Sequence, residues 1–292
     1  MDDPFTECPK CATLLTPTQE KCSKCDFAKT KKDRRFLILD GGSRFHFPKR
    51  QPKTLTFRIR ESDPNDQYAR LYSERVVDTV RVLHLPRYGL ANYLKPTPDT
   101  PPTKQDADLM ANLSRAGKRL IGFCRTNLFK RLESSGYAFL LSIRRHILRN
   151  YVYLHALENG LPLPIGPQDF DLFDDRDSDD FGLIAAASLA DFTAAGALGY
   201  QLFYTEHNGN FGWLRSDVFV EDLSEHLRQD AQRLFSILEL AGQWHPEQDQ
   251  KLAELQNLLT KKHPSQKILI FSQFSDTVSY IQAQPDFRYW RV

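Results

Sequence analysis

Residues 134–159 read SSGYAFLLSIRRHILRNYVYLHALEN, and this stretch decides the fold class. Tyr137, Leu140, Leu141, Ile147, Leu148, Tyr151 and Leu154 recur at helical spacing and predict a long helix with one apolar side. Gly160 follows as a C-cap, and Pro162 and Pro164 stop the helix. The same segment carries Arg144, Arg145 and Arg149, which face water on an ordinary helix and phosphates on a nucleic-acid binder.

The segments around it are also helical in pattern. Upstream, Leu109, Leu113, Leu120, Cys124, Leu128 and Leu132 keep a helical register, with Gly117 as a weak point and Cys124 as a core residue. Before the Pro96–Pro102 linker, Asp66 to Leu83 predicts a helix through Tyr68, Leu71, Tyr72, Val76, Val80 and Leu83. Downstream, Val218, Leu223, Leu227, Ala231, Leu234 and Leu238 predict a helix capped by Ser216, with Asp217 in its first turn. A break at Trp244–Pro246 precedes a helix over 247–260. Residues 183–212 mix Ala and Gly with Phe and Tyr and give no firm assignment. Strand-like alternation is confined to 29–60: Phe36 with Ile38, Phe45 with Phe47, and the run Thr54–Arg60.

The N-terminus has a different chemistry. Cys8-Pro-Lys-Cys11 and Cys22-Ser-Lys-Cys25 are two Cys-x-x-Cys knuckles separated by ten residues. Each places two thiolates on one tight turn, and four thiolates satisfy a tetrahedral zinc ion. Lys10 and Lys24 would offset the double negative charge of such a centre. The competing reading is two disulfides. Met1 runs straight into Asp2, Asp3 and Pro4 without an apolar segment, so a reducing, cytoplasmic setting and one structural zinc are expected. A redox motif would be a single Cys-x-x-Cys beside a βαβ pattern. A catalytic zinc is excluded in turn, because four cysteines leave no open position for water and the chain has no H-E-x-x-H.

Across 292 residues, hydrophobic content of 41% provides for a sizeable core, and the net charge of +2 conceals segregated charge. Lys29–Arg60 holds 11 Lys or Arg against Asp33 and Asp40, and Arg115–Arg149 holds nine against Glu133. Both basic stretches fit a polyanionic partner such as DNA, or else solvated faces. Asp169–Asp180 holds seven Asp against Arg176; it lacks the central Gly and closing Glu of a calcium loop and reads as a solvated loop. No run reaches the ~20 apolar residues of a membrane span, so no membrane is expected.

After Pro264 the period changes. Lys267-Ile-Leu-Ile-Phe-Ser272 is apolar without alternation, as in a strand buried on both faces, and a helix over 276–283 follows. Taken with Asp249-Gln-Lys-Leu252, Leu255, Leu258-Leu259, Gln273–Thr277 and Tyr280-Ile281, this segment resembles the entry into the second RecA-like lobe of Swi/Snf-type superfamily-two helicases, in bacterial form. Phe47–Arg50, Tyr72–Leu94 and Asn127–Phe139 are similar to that family's inter-lobe region.

The resemblance implies the following organisation: a zinc ribbon at 1–28 and a basic β-rich connector at 29–61. A helical inter-lobe region follows at 62–215, with an acidic loop at 161–182. A truncated start of the second helicase lobe occupies 216–292. The expected fold is therefore mainly α with a small zinc ribbon and an incomplete α/β (RecA-like) C-terminal piece. Ser272 and Gln273, at the end of the strand, would touch a DNA phosphate or cap the next helix. The family hydrolyses ATP with Mg2+. This sequence has no G-x-x-x-x-G-K-[ST], no Asp-Glu pair after a strand before the cysteines, and no Q-x-x-G-R-x-x-R. ATP and Mg2+ are thus expected only in a larger parent, or with a separate chain carrying the first ATPase lobe. The alternative is a zinc-ribbon adaptor for nucleic acid or protein, unrelated to ATP.

Overall fold

The computed structural model describes residues 6–8, 10–11, 13–15, 19, 21–25, 36–39, 42–46, 56–113, 117–166, 188–206, 209, 211–264 and 268–287. Chain contacts divide it into two units, Met1–Leu55 and Thr56–Val292.

The first unit is built of two small antiparallel hairpins. Strand β1 (Thr6–Glu7) pairs with β2 (Leu14–Leu15), Thr6 opposite Leu15. Strand β3 (Phe36–Ile38) pairs with β4 (Arg44–His46), Leu37 opposite Phe45. Gly42 lies at φ +79° in the turn between them, where a side chain would be strained.

The second unit is mainly helical. Its short α1 (Gln67–Leu71) and α2 (Glu74–Arg81) occupy the span of the expected single helix over 66–83. Asp66 begins α1, accepting from the amides of Tyr68 and Ala69 at 2.9 and 3.1 Å, and Ser73 stands at the break before α2. Helix α3 (Lys104–Asn112) starts with a Thr103–Asp106 capping box, and α4 (Gly117–Ser134) begins at the glycine that marked the weak point. Ser135 alone separates α4 from α5 (Gly136–Glu158), whose first turn it caps.

Helix α5 departs from the one-sided helix of the pattern. Phe139, Ile143, Arg145, Ile147, Asn150, Val152 and Ala156 are buried on several sides of it, as befits a central helix. Helix α6 (Leu189–Thr205), in the segment without a sequence assignment, packs against it, as does α7 (Asp222–Ala241). A Cβ on Gly196 would stand 2.6 Å from Tyr151 Cβ and 2.7 Å from its backbone carbon, so glycine is what lets α6 and α5 touch. One buried cluster joins Leu71, Val80, Leu128, Phe139, Ile143, Phe192 and Leu234; a second joins Leu90, Val152, Leu163, Leu214, Leu223 and Leu227. Residues 223–241 thus share both cores with the helices before them.

Two expected helix or strand assignments end differently. Ser216–Val218 is a 3-10 turn, not the first turn of α7, because Phe219 bridges to Leu94 and Val220 donates to the Tyr93 carbonyl at 2.8 Å. Residues 56–60 form no strand: Phe57 instead lays its ring 5.0 Å from that of Tyr68. Among the described residues of this unit one two-stranded sheet pairs β5 (Leu163–Ile165) with β6 (Gly212–Leu214).

The C-terminal part contains α8 (Gln250–Asn257), a π-helical turn over Leu258–Lys262, and α9 (Ser275–Gln282). The expected buried strand is absent: residues 268–272 form none, and Leu269 and Phe271 are 74% and 88% exposed. A strand apolar on both faces needs neighbours on both edges, and no described residue pairs with it. What anchors this part is α9. Asp276 accepts from Arg145 at 2.7 Å and from Arg131 at 2.8 Å, all three buried. The Arg131 guanidinium also lies over the Phe274 ring. Tyr280 stacks on Tyr137, receives a bond from Trp244 and donates to Asp249 at 2.8 Å.

Two stability changes follow. Asp276→Ala leaves two buried guanidiniums without their shared carboxylate and should cost about 3–5 kcal/mol in urea unfolding; a loss under 1 kcal/mol would show the ion pairs to be incidental. Gly196→Ala should lower stability by about 1–3 kcal/mol by forcing α6 off Tyr151, whereas Gly160→Ala, with open space around it, should be felt only through its φ of +63°.

Candidate metal centre

The four cysteines come together because two tight turns face one another. Cys8 follows β1, and its amide donates to the Thr13 carbonyl at 2.8 Å, closing the first knuckle. The second knuckle is the turn ending in Cys25. The four Sγ atoms lie within 4.8 Å of one another, with Cys8–Cys25 at 3.4 Å and Cys11–Cys22 at 3.5 Å. These distances exceed the ~2.05 Å of a disulfide, and none of the five cysteines is disulfide-bonded. Four thiolates about one ion at ~2.3 Å stand ~3.8 Å apart, which this cluster nearly matches, so it is able to bind one metal ion.

Cys8 and Cys22 are buried with Leu15 beneath the cluster, while Cys11 and Cys25 reach the surface. Lys10 and Lys24 are exposed. Sequence reasoning missed Thr13. Its hydroxyl sits 3.2 Å from Cys11 Sγ, and its side-chain and then its backbone hydrogen bonds bring the Cys11 thiol down to about 6. Cys11 is therefore thiolate at neutral pH before any metal arrives. Cys124 behaves oppositely: burial raises it to about 12, and it is a core thiol.

The other expected site residues are dispersed. Arg145 is turned inward onto Asp276 and is 2% exposed, so it presents no charge to a phosphate. A central helix has no water-facing side at that position. Arg144 is half-buried, and burial lowers its affinity for its proton. Arg149 is half-buried as well. Ser272 Oγ accepts from the amide of Phe274, the N-cap of α9, at 3.2 Å and caps no first-turn amide of that helix; Gln273 is exposed. The acidic stretch 169–180 lies outside the described residues. Among the described residues no helix is long and apolar enough to cross a membrane.

Comparison with known protein families, curated proteins and solved structures returns no match.

Metal binding to this cluster must weaken as acid protonates the thiolates. Metal retention measured from pH 8 to pH 5 should fall as the pH falls, because each of the four ligands must be deprotonated to bind. In Thr13→Val the fall should begin at higher pH, because the thiolate has lost its hydroxyl donor; an unchanged profile would remove Thr13 from the account.

Proposed function

We propose that this chain is part of an ATP-dependent DNA translocase of Swi/Snf type. In this reading it supplies DNA contact and coupling between ATPase lobes, and the cysteine cluster holds one structural zinc. The resemblance at 249–281 carries the reading, and one contact supports treating that segment as a unit. Asp249 caps α8 through the Leu252 amide at 3.0 Å and takes the Tyr280 hydroxyl at 2.8 Å, joining the two halves of the motif. Zinc is favoured because the ligand set is all thiolate and its spacing suits a closed tetrahedral site without a water position.

The DNA surface in this proposal shifts from α5 to α4. Arg119, Phe123, Thr126 and Lys130 follow one another at helical spacing and are all exposed, Phe123 to 51%. Two cations flanking an aromatic ring suit the phosphates and bases of a nucleic acid. The second reading, a zinc-ribbon adaptor, draws its support from the division of the chain at Leu55, which sets the cysteine module in a unit of its own.

Three outcomes are expected. Purified chain under reducing conditions should carry one zinc; clearly less than one per chain, or no loss of the N-terminal fold in Cys22→Ser, would refute the structural-zinc reading. The chain alone should hydrolyse no ATP above a buffer blank, since the phosphate loop, metal acids and arginine finger are all lacking from its sequence. DNA affinity should fall at least about tenfold over a fourfold rise in salt, the effect of only two phosphate contacts, and Arg119→Glu with Lys130→Glu should reduce it further. Salt-independent affinity would overturn the phosphate-contact model.

A further inference from the structure

Segment 83–95 crosses the surface of α7 as a strap. Leu83, Leu85, Tyr88 and Leu90 on it are buried. Its attachment is unusually polar. Asp230 of α7, fully buried, accepts from the His84 amide at 2.9 Å and from the Leu85 amide at 2.6 Å. These bonds hold Leu85 at φ +51°, a left-handed conformation that costs a branched residue energy. Directly beside them the ring of His84 stacks on the ring of His226 from α7, with centroids 3.8 Å apart and planes 6° from parallel. His84 Nε2 lies 3.2 Å from Gln229 Oε1, and Tyr93, at the other end of the strap, places its hydroxyl 2.9 Å from His226 Nδ1.

We propose that the His84–His226 stack is an acid-sensitive latch that holds the strap on α7 at neutral pH and releases it on acidification. The chemistry requires no other group. With both rings neutral, Tyr93 donates to His226 Nδ1 and His84 Nε2 donates to Gln229. Burial keeps the Tyr93 hydroxyl protonated, raised to about 12, so it remains a donor. A solvent proton on His226 Nδ1 displaces that donor, and the ring must then donate to the tyrosine oxygen. A second proton, on His84, sets two like charges face to face at stacking distance.

The charges around the pair do not neutralise this. Among the described residues Asp230 is the carboxylate that draws a proton to His84, and its oxygens already serve two amides and Arg233, 3.5 Å away. Arg233 opposes protonation of His84, and Asp222 acts on Tyr93. Burial first, then the charge of His226, hold His84 below the usual imidazole range. The sign follows. The folded strap binds protons more weakly than the unfolded chain, so its stability is full above pH ~6.5 and declines as the pH falls below it. The strained Leu85 gives the released strap a more relaxed conformation to adopt. A stacked histidine pair on an otherwise buried strap is a means of opening this face of the helical body by pH.

Hydrogen exchange on the full chain tests this at the Leu85, Lys95 and Val220 amides, the last two bonded to Val218 and Tyr93 across the strap. After correction for intrinsic rates, protection at these amides should fall at least about tenfold between pH 7.5 and pH 5.5, while α5 amides hold theirs. In His226→Phe, which keeps a neutral ring in the stack, the acid loss should shrink to the part that the burial of His84 alone causes. Should that variant fold poorly, carbon-detected titration of the native histidines serves instead: the two rings should protonate in coupled steps. Equal protection at both pH values, an acid loss undiminished in His226→Phe, or two independent ordinary titrations would each overturn the latch.

Discussion

A buried carboxylate with two guanidiniums on it is the interaction on which the C-terminal half of the second unit depends. Asp276 meets Arg131 of α4 and Arg145 of α5 in a site that water does not reach. Two buried cations need a counter-charge far more than they stabilise anything themselves, so the value of the arrangement lies in where it forces α9 to dock. Tyr280, one turn further on, then has Tyr137, Trp244 and Asp249 within reach, and α8 and α9 close on the same end of α5. Burial raises the pKa of Asp249 and of Tyr280, so the tyrosine hydroxyl keeps the proton that it donates in that hydrogen bond.

The cysteine module obeys a different rule. Its buried cluster is Cys8, Leu15 and Cys22, too little apolar surface for residues 6–25 to hold a fold. The thiols themselves form the centre of that cluster, so the ligand set and the core are the same atoms. A metal ion bound there would supply both the chemistry and the cohesion of this hairpin.

The basic stretch 115–149 illustrates how charge in sequence is redistributed by folding. Arg131 and Arg145 are spent on Asp276, and Arg125 donates to the Leu83 carbonyl at 2.6 Å. Arg119 and Lys130 remain fully on the surface. A run of like charge on a helix reads as a solvated face only while the helix has one, and α5 is enclosed by α4, α6, α7 and α9.

Sequence alone determined the four-cysteine cluster, because knuckle spacing is a local property of two turns, and it determined the helical class, because apolar periodicity such as that of Leu120, Cys124, Leu128 and Leu132 is legible within a few turns. It also marked Gly117 as a weak point and Gly160 as a C-cap, without saying what they face. Tertiary structure decided the rest. Helix α6 was hidden because its Ala, Gly and aromatic residues carry no one-sided stripe; glycine at 196 is legible only once Tyr151 stands against it. The pairing of Asp276 with two arginines more than 130 positions away, and of His84 with His226, leaves no trace in local pattern. Residues 268–271 show the converse. Their composition has the propensity of a buried strand, but a strand exists only when neighbours satisfy its backbone, and among the described residues none does.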